Sequence, residues 1–436
     1  MIGNPRRSPR LSSREIAAVR RGHRRRSGPL GAALRPGGGP PVTSEPVSKL
    51  AFVTPRYGDR VLGGSEARVR EEARGLAARG HDVEVLTTCA RDHHTWKNEW
   101  PAGVEMDGLV SVRRFETVPR SDPSLWSALE RRIFSGQALS DADELAWVNS
   151  RFRVPDLYFH LAEKAGDYDA LVFSPYLFWT TLYGIGVAPE RSILMPCLHD
   201  EPYAYLRSTR AVLAGAGAVW FQSEPEHQLG HRLAPLASHR LIGSAVHVPE
   251  AYDPTGFRER HGLERPFVLC AGRREDGKGW PQAVRGFAAA IVRHGLALDL
   301  VTIGAGDPNI PPMLRERIID LGYLDDDEVS NAFAAAEAYL QPSPNESFSR
   351  TIMESWLAGT VVIANMASEV VAWHCERSGG GLVYGDEIEM GECLRLVAEA
   401  PKLAAELAAA GRKYVLANYT WPQILDGMEA TLEDFS

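Results

Sequence analysis

Cysteine is scarce in this chain of 436 residues. The five cysteines (Cys89, Cys197, Cys270, Cys375 and Cys393) are odd in number and scattered, and no two stand at C-x2-C spacing. That excludes a disulfide framework and a cysteine-built zinc site, and it fits the reduced thiols of a cytoplasmic protein. No apolar run approaches the ~18 residues of a membrane-spanning helix. A complete nucleotide-triphosphate loop is missing as well. Gly272-x4-Gly277-Lys278 has the first seven positions, but Gly279 stands where a Ser or Thr would hold Mg²⁺, so an NTPase site is set aside. Positive charge is lacking from most of the chain. Residues 1–47 carry ten arginines against Glu15 and Glu45, a net of +8, whereas the remainder has 38 basic and 54 acidic residues, a net of −16. An acidic body is a poor partner for nucleic acid.

What is present is a globular composition, with 44% hydrophobic residues, and enough length for two sizeable α/β domains. The first 47 residues are rich in Arg, Gly, Pro and Ser and are expected to be disordered. They have arginine pairs but no apolar core of a secretion signal. A basic tether to anionic lipid is one reading of them, and a dispensable tail is another. Order is expected from Lys49. Leu50–Thr54 reads as a short strand, and the loop that follows carries Gly63-Gly64 just before a helix with Ala67, Val69, Ala73, Leu76 and Ala77. Gly80 closes that helix and VEVLTT is the next strand, which makes a βαβ unit. The glycine pair lets backbone approach a ligand closely, but it is not G-x-G-x-x-G, so it makes no dinucleotide signature.

Residues 91–165 are less regular, with helical stretches LWSALERRIF and DADELAWVNSRF. Trp126, Phe134, Trp147, Phe152 and Tyr158 are expected in the core there. Strands follow at ALVFSP (170–175) and Ile193–Leu198. His199-Asp200 stands where the second of these runs out into a loop, and polar residues at strand C-termini line the crevice of open α/β sheets. Pro249–Pro254 reads as a linker. Beyond it, Phe267–Ala271 is a strand leading to Gly272-Arg273 and then Lys278-Gly279. Arg and Lys here suit a diphosphate, the first by its fork of donors and the second by its compact charge. The acids Asp325–Glu328 read as a solvated helix start and not as a metal site. The alanine-rich 392–417 reads as helical.

The densest information lies in Gln341–Ala364, QPSPNESFSRTIMESWLAGTVVIA. Ala338–Leu340 is a strand end that Pro342, Pro344 and Asn345 break. Ile352, Met353, Trp356 and Leu357 repeat at helical spacing, Gly359 ends the helix, and Val361–Ile363 is a buried strand. Glu346 sits before the helix and Glu354 eight residues later, just off its apolar face. A helix start there offers the N–H groups of Ser347, Phe348 and Ser349 to a phosphate, and the two carboxylates suit sugar hydroxyls.

Two glutamates eight apart carry nothing alone, but the setting does: Pro-Ser before the first, Phe two residues after it, and Glu-x4-Gly-x-Val-Val-Ile-Ala at the second. This stretch resembles the Glu-x7-Glu signature of the retaining GT-B glycosyltransferases of family 4. With the Gly-Gly loop, His199 and Arg273…Lys278 in the expected order, the resemblance covers residues 50–435. It implies two Rossmann-like domains facing across a cleft. Residues 48–248 would form the acceptor domain, 249–418 the nucleotide-sugar donor domain, and 419–436 a C-terminal helix crossing back to the first domain. By the same resemblance Gly63 and Gly64 lie under the donor diphosphate, and Arg273, Lys278 and the amides of Ser347–Ser349 neutralise it. The nucleobase lies against Tyr323 and Leu324. Glu354 takes the ribose, Glu346 the donor sugar, and His199 faces the reacting carbon, so that His199 and Glu346 are the catalytic candidates. No cofactor and no metal are implied. One departure from the family is Ser347-Phe348-Ser349-Arg350 where Gly-Phe-Gly-Leu is common.

The implied reaction moves a hexose from a nucleotide diphosphate sugar to a hydroxyl acceptor (polysaccharide, glycolipid or small-molecule glycoside), in the cytoplasm or peripherally at the inner face of the membrane. Two alternatives stay open: a GT-B sugar-nucleotide epimerase, and a non-catalytic nucleotide-sugar-binding protein. The donor base and sugar, the acceptor, the linkage and the oligomeric state are not legible.

Overall fold

The computed structural model describes residues 48–61, 63–119 and 122–433. The Arg-rich head, residues 1–47, lies outside them, as does the end of the chain from 434. The described residues form two sheets. The first is built from β1 (Lys49–Val53), β2 (Asp82–Thr88), β3 (Gly103–Asp107), β4 (Val110–Phe115), β5 (Ala170–Phe173), β6 (Ser192–Leu194), β7 (Ala218–Phe221) and β8 (His239–Leu241). The second is built from β9 (Phe267–Ala271), β10 (Asp299–Ile303), β11 (Ile318–Asp320), β12 (Ala338–Gln341), β13 (Val361–Asn365) and β14 (Gly381–Tyr384).

Spatial order is β3-β4-β2-β1-β5-β6-β7-β8 in the first sheet and β11-β10-β9-β12-β13-β14 in the second. Every pairing is parallel except the β3–β4 hairpin. Each sheet reverses its winding at one strand. β1 pairs with β2 on one side and β5 on the other, Leu50 facing Val83 and Ala170. β9 lies between β10 and β12, Val268 facing Leu300 and Ala338. Loops diverge at such a switch point and leave a crevice at the strand C-termini. These are the two Rossmann-like domains that the sequence implied.

Helices cover the sheets, because parallel strands are joined by crossovers and are apolar on both faces. The first sheet carries α1 (Gly64–Ala78), α2 (Pro123–Phe134), α3 (Asp141–Arg151), α4 (Pro155–Lys164), α5 (Trp179–Gly184), α6 (Arg207–Gly215) and α7 (Glu224–Leu233). The remainder are α8 (Pro254–Arg260), α9 (Trp280–His294), α10 (Asp326–Ala335), α11 (Arg350–Leu357), α12 (Glu369–Ser378), α13 (Glu387–Glu399), α14 (Pro401–Asn418) and α15 (Trp421–Leu432). The strands β5, β7, β10 and β13 are buried along their whole length. One apolar cluster is continuous from the first sheet (Phe52, Trp220) to the second (Leu269, Tyr339) by way of Tyr419, Ile424 and Met428.

The last helix explains that continuity. α15 comes from the second half of the chain but packs on α1, where Leu425 lies against Gly75; a Cβ on that glycine would come within 3.1 Å of Leu425 Cδ1. Arg79 at the end of α1 pairs with Glu429 and, at 2.7 Å, with Asp426. Residues 242–253 carry neither helix nor strand.

Several local expectations need correction. The hairpin β3–β4 is missing from those expectations: β3 is exposed along nearly its whole length, with Val104 and Met106 facing solvent, and only β4 alternates buried and half-buried residues. Of the five aromatics expected in the core, Trp147 and Phe152 are buried, while Phe134 and Tyr158 are exposed. The strand read as Ile193–Leu198 ends at Leu194, and Cys197 turns the chain in the left-handed region at φ 54°. The alanine-rich stretch is two helices, divided where Pro401 starts α14 after Ala400 leaves helical backbone at φ −127° and ψ 62°.

Candidate active site

β12 ends at Gln341, and Pro342–Ser349 carries the chain from the sheet to α11. The helix begins at Arg350, with Ser349 before it in the left-handed region (φ 68°, ψ 78°). The amides of Ser347, Phe348 and Ser349 therefore belong to the loop entering the helix, not to its first turn. Among the described residues no hydrogen bond takes these three N–H groups. The loop is fixed from behind. Gln341 Nε2 donates to Ser349 Oγ at 2.8 Å. The Phe348 ring is buried edge-on to His374 and Tyr419, with centroids 5.2 and 4.9 Å away. Phe348 thus anchors the loop from its buried side. Burial lowers the His374 imidazole to about 3, so it remains neutral within that cluster.

In front of this loop lies a cleft of about 970 Å³, lined from both sheets. From the first come Gly63, Gly64 and His199; from the second come Arg273, Lys278, Glu346, Ser347, Phe348 and Ser349. The structure brings together nine of the site residues read from the sequence. Lys278 Nζ donates to Glu346 Oε1 at 2.7 Å, so cation and carboxylate meet across 68 residues of chain. Arg273 points toward solvent and pairs with Glu275 at 3.1 Å. His199 Nδ1 lies 3.4 Å from Glu201 Oε1.

The turn after Lys278 shows why glycine replaces the hydroxyl residue of a triphosphate loop. Gly279 has φ 73°, and a Cβ there would stand 2.2 Å from Pro342 O. The close approach of the two loops sets Lys278 against Glu346. Gly304 does the same for the neighbouring loops, since its Cβ would stand 2.1 Å from Gly272 O at φ 135°.

Three residues fall elsewhere. Glu354 is half-buried on α11, one turn beyond Arg350; burial raises its carboxyl against the lowering effect of that arginine. It does not line the cleft, and neither do Tyr323 and Leu324. Tyr323 is 69% exposed, and Leu324 packs against the core. Arg350, which stands where the family commonly has Leu, borders the cleft and pairs with Glu71 of α1 at 2.9 Å, and so ties the loop to the first sheet.

The first-sheet wall holds groups that the sequence reading missed. Arg56, Arg60, Arg91, His93 and Gln222 line it. Arg56 pairs with buried Glu66, the acid of Gly-Gly-Ser-Glu. Burial, with Arg56, His94 and Arg273 adding to it, lowers the His93 imidazole to about 4. Gln222 Nε2 donates to Ser347 Oγ at 3.1 Å, a link from the first sheet to the loop. Behind His199, Glu226 of α7 accepts the N–H of Leu198 and of Gln222, both at 2.6 Å. A histidine triplet, His227, His231 and His239, lies on α7 and β8 outside the cleft lining. The i,i+4 spacing of the first two was visible in the sequence.

Residues 265–399 match the family described as glycosyl transferases group 1. Over 401 residues the chain is 30% identical to a D-inositol 3-phosphate glycosyltransferase of Saccharomonospora viridis, covering 85% of this chain and 89% of that one. The chain belongs to the group 1 glycosyltransferases. This glycosyltransferase is also 24% identical to an MMP alpha-(1->4)-mannosyltransferase of Mycolicibacterium hassiacum, over 83% of its own length and 92% of the relative's. Its fold is that of sucrose-phosphate synthase from Thermosynechococcus elongatus (TM-score 0.68, 18% identity, 89% and 98% of the two chains). It is likewise that of Anabaena HepE, solved with UDP and glucose (TM-score 0.63, 15% identity, 89% and 100%). The GT-B fold and glycosyl transfer are thereby established for this glycosyltransferase. The matched family region spans Arg273, Lys278, Glu346 and the loop to α11.

Proposed function

We propose that this enzyme moves a hexose from a nucleoside diphosphate sugar to a hydroxyl acceptor with retention at the anomeric carbon. The observation that carries the reading is the Lys278–Glu346 pair beside the three free loop amides. A diphosphate seated there would take the amides and Lys278, while Arg273 swings in from solvent. That would release Glu346 to accept from the donor sugar. As the bond to the diphosphate breaks, charge builds on the departing oxygen, and donors already in place stabilise it without reorganisation. The two side-chain cations would do what a divalent ion does elsewhere.

His199 enters from the other sheet, where it would contact the sugar near its reacting carbon. No carboxylate of the first-sheet wall is placed as a nucleophile by this reading. The departing phosphate oxygen would instead take the proton of the incoming hydroxyl on the same face, which retains configuration. For the acceptor, the first-sheet wall favours a small phosphorylated polyol or sugar. Arg56, Arg60 and Arg91 gather there with His93, and the relatives include enzymes named for phosphate-bearing products or acceptors. Guanidinium forks suit a phosphate.

The test is a thermal-shift screen of the protein against UDP, GDP, ADP and dTDP and their sugars, with EDTA and with Mg²⁺, repeated on Lys278→Ala. Ligand at about 100 times its Kd adds about 2.7 kcal/mol of stability. One nucleotide is expected to shift the wild type, equally in EDTA, and to lose that shift in the variant. A wild type that no nucleotide shifts would sink the donor reading. The anomeric configuration of the product, read by NMR, decides retention.

A further inference from the structure

We propose that His227, His231 and His239 form a binding site for one divalent transition-metal ion of the zinc class, separate from the glycosyl-transfer cleft. His227 and His231 stand i,i+4 on one face of α7, and His239 opens the adjoining strand β8. The Nε2 atoms of His227 and His231 already face each other at 2.9 Å. The three ring centroids lie 4.6, 4.6 and 4.8 Å apart, and one nitrogen from each ring falls within 4.8 Å of the others. Ligands at ~2.0–2.1 Å from a tetrahedral zinc stand ~3.4 Å from one another. A small opening of the helical pair and a small closure of His239 would reach that spacing.

Three further observations suit a metal. Imidazole is the ligand of choice for zinc, copper and nickel. The outer nitrogen of His227, Nδ1, is buried 3.5 Å from Glu224 Oε2 with no hydrogen bond yet made, so a small turn of the ring on binding an ion would form the carboxylate–histidine pair that orients a ligand. His239 Nδ1 is buried without a hydrogen-bond partner. The ligands also sit on a prepared frame. β7 and β8 pair in parallel with Val219 facing His239, and Ser223 caps α7 through the N–H of Glu226. His231 is exposed, so an ion could enter from solvent and keep water at its fourth position. Bound there, it would clamp α7 to β8 and stiffen the helix whose Glu226 holds the backbone beside His199.

The full chain without an affinity tag, freed of metal by chelation, is dialysed against zinc chloride and counted by mass spectrometry. It is then titrated with cobalt chloride, whose tetrahedral complexes absorb in the visible. One equivalent of zinc, a tetrahedral cobalt band and an upward shift in Tm are expected in the wild type. All three should be lost in His231→Ala, whose fold is checked by its metal-free Tm, and in His239→Asn. They should persist in His94→Ala, which removes a ligand from Asp92, His93 and His94, another set of potential metal ligands whose atoms lie within 4.8 Å of one another. Binding that survives in His231→Ala, or a wild type that retains no zinc, overturns the site. Failure of nucleotide binding in the cleft would leave this result untouched.

Discussion

Lys278 and Glu346 make the most consequential contact at the level of single side chains. Each is only partly exposed, at 31% and 14%, so neither charge is fully hydrated and each relies on the other. Lys278→Ala is expected to lower kcat/KM about 10²–10³-fold, the range for loss of one preorganised donor to a developing anion. Its Tm without ligand should fall modestly, because the largely buried Glu346 carboxylate is left without its cation. Steady-state kinetics and calorimetry on the same preparation check both halves.

Glu226 makes a second argument at this scale. Burial pushes its carboxyl up to about 7, although two backbone N–H groups and Arg68 hold it down. A folded-state value above the unfolded one means that the native state keeps a proton the unfolded state has released. Stability therefore falls as pH rises from about 4.5 through 7, and is constant outside that window. The expected loss is on the order of 3 kcal/mol relative to Glu226→Gln, which does not titrate. Denaturation curves of both proteins between pH 4 and 8 should diverge in that direction. Parallel curves would show that the carboxylate is ionised throughout.

At the scale of elements, the site depends on two loops meeting where side chains would not fit. Gly279 closes the loop after β9 and opens α9, and Pro342 begins the loop after β12. Gly279→Ala must place a methyl group against the Pro342 carbonyl and hold a left-handed φ. A cost of about 1–3 kcal/mol follows from the strain alone, with more if the loops separate. Because their separation moves Lys278 from Glu346, nucleotide affinity should fall together with Tm. Gly277→Ala, in the same loop with open space around its Cβ position, should cost less in both measurements. The element α11 shows the converse. Ile352, Met353 and Trp356 are fully buried on its inner face, so the core seats the helix and fixes where its entry loop ends.

For the whole molecule, the question is whether two sheets behave as one cooperative unit. Proteins with two domains often unfold in separate steps. Here the apolar cluster runs unbroken between the sheets, and α15 from the second half of the chain is seated on α1. Arg68 Nη2 of α1 donates to Gly243 O at 3.0 Å, and Val246 N donates to Tyr419 O at 3.0 Å. A single calorimetric transition is expected, with matching calorimetric and van't Hoff enthalpies. Two resolved transitions would show that the shared cluster couples the sheets only weakly. Bridges such as Gln222–Ser347 and Arg350–Glu71 are polar and partly exposed, and contribute little to that coupling.

Much of this protein was legible in the chain alone, and the reason is local. The strand–loop–helix around Glu346, the glycine turn at 63–64 and the strand before Arg273 are short-range patterns of burial, breakers and caps. Those patterns depend on neighbours a few residues away, so their order along the chain already implied the GT-B fold and glycosyl transfer. Other features were decided only by tertiary packing. The pairing of Lys278 with Glu346, the cationic wall around Arg56 and the link from Arg350 to Glu71 join positions far apart in sequence, and nothing local predicts them. Tyr323 and Glu354 lie outside the cleft lining because their places follow from how β11 and α11 pack, not from their spacing. The histidine triplet stands between the two cases. Its helical pair is a local pattern, but only the parallel alignment of β8 beside β7 brings the third ring to it.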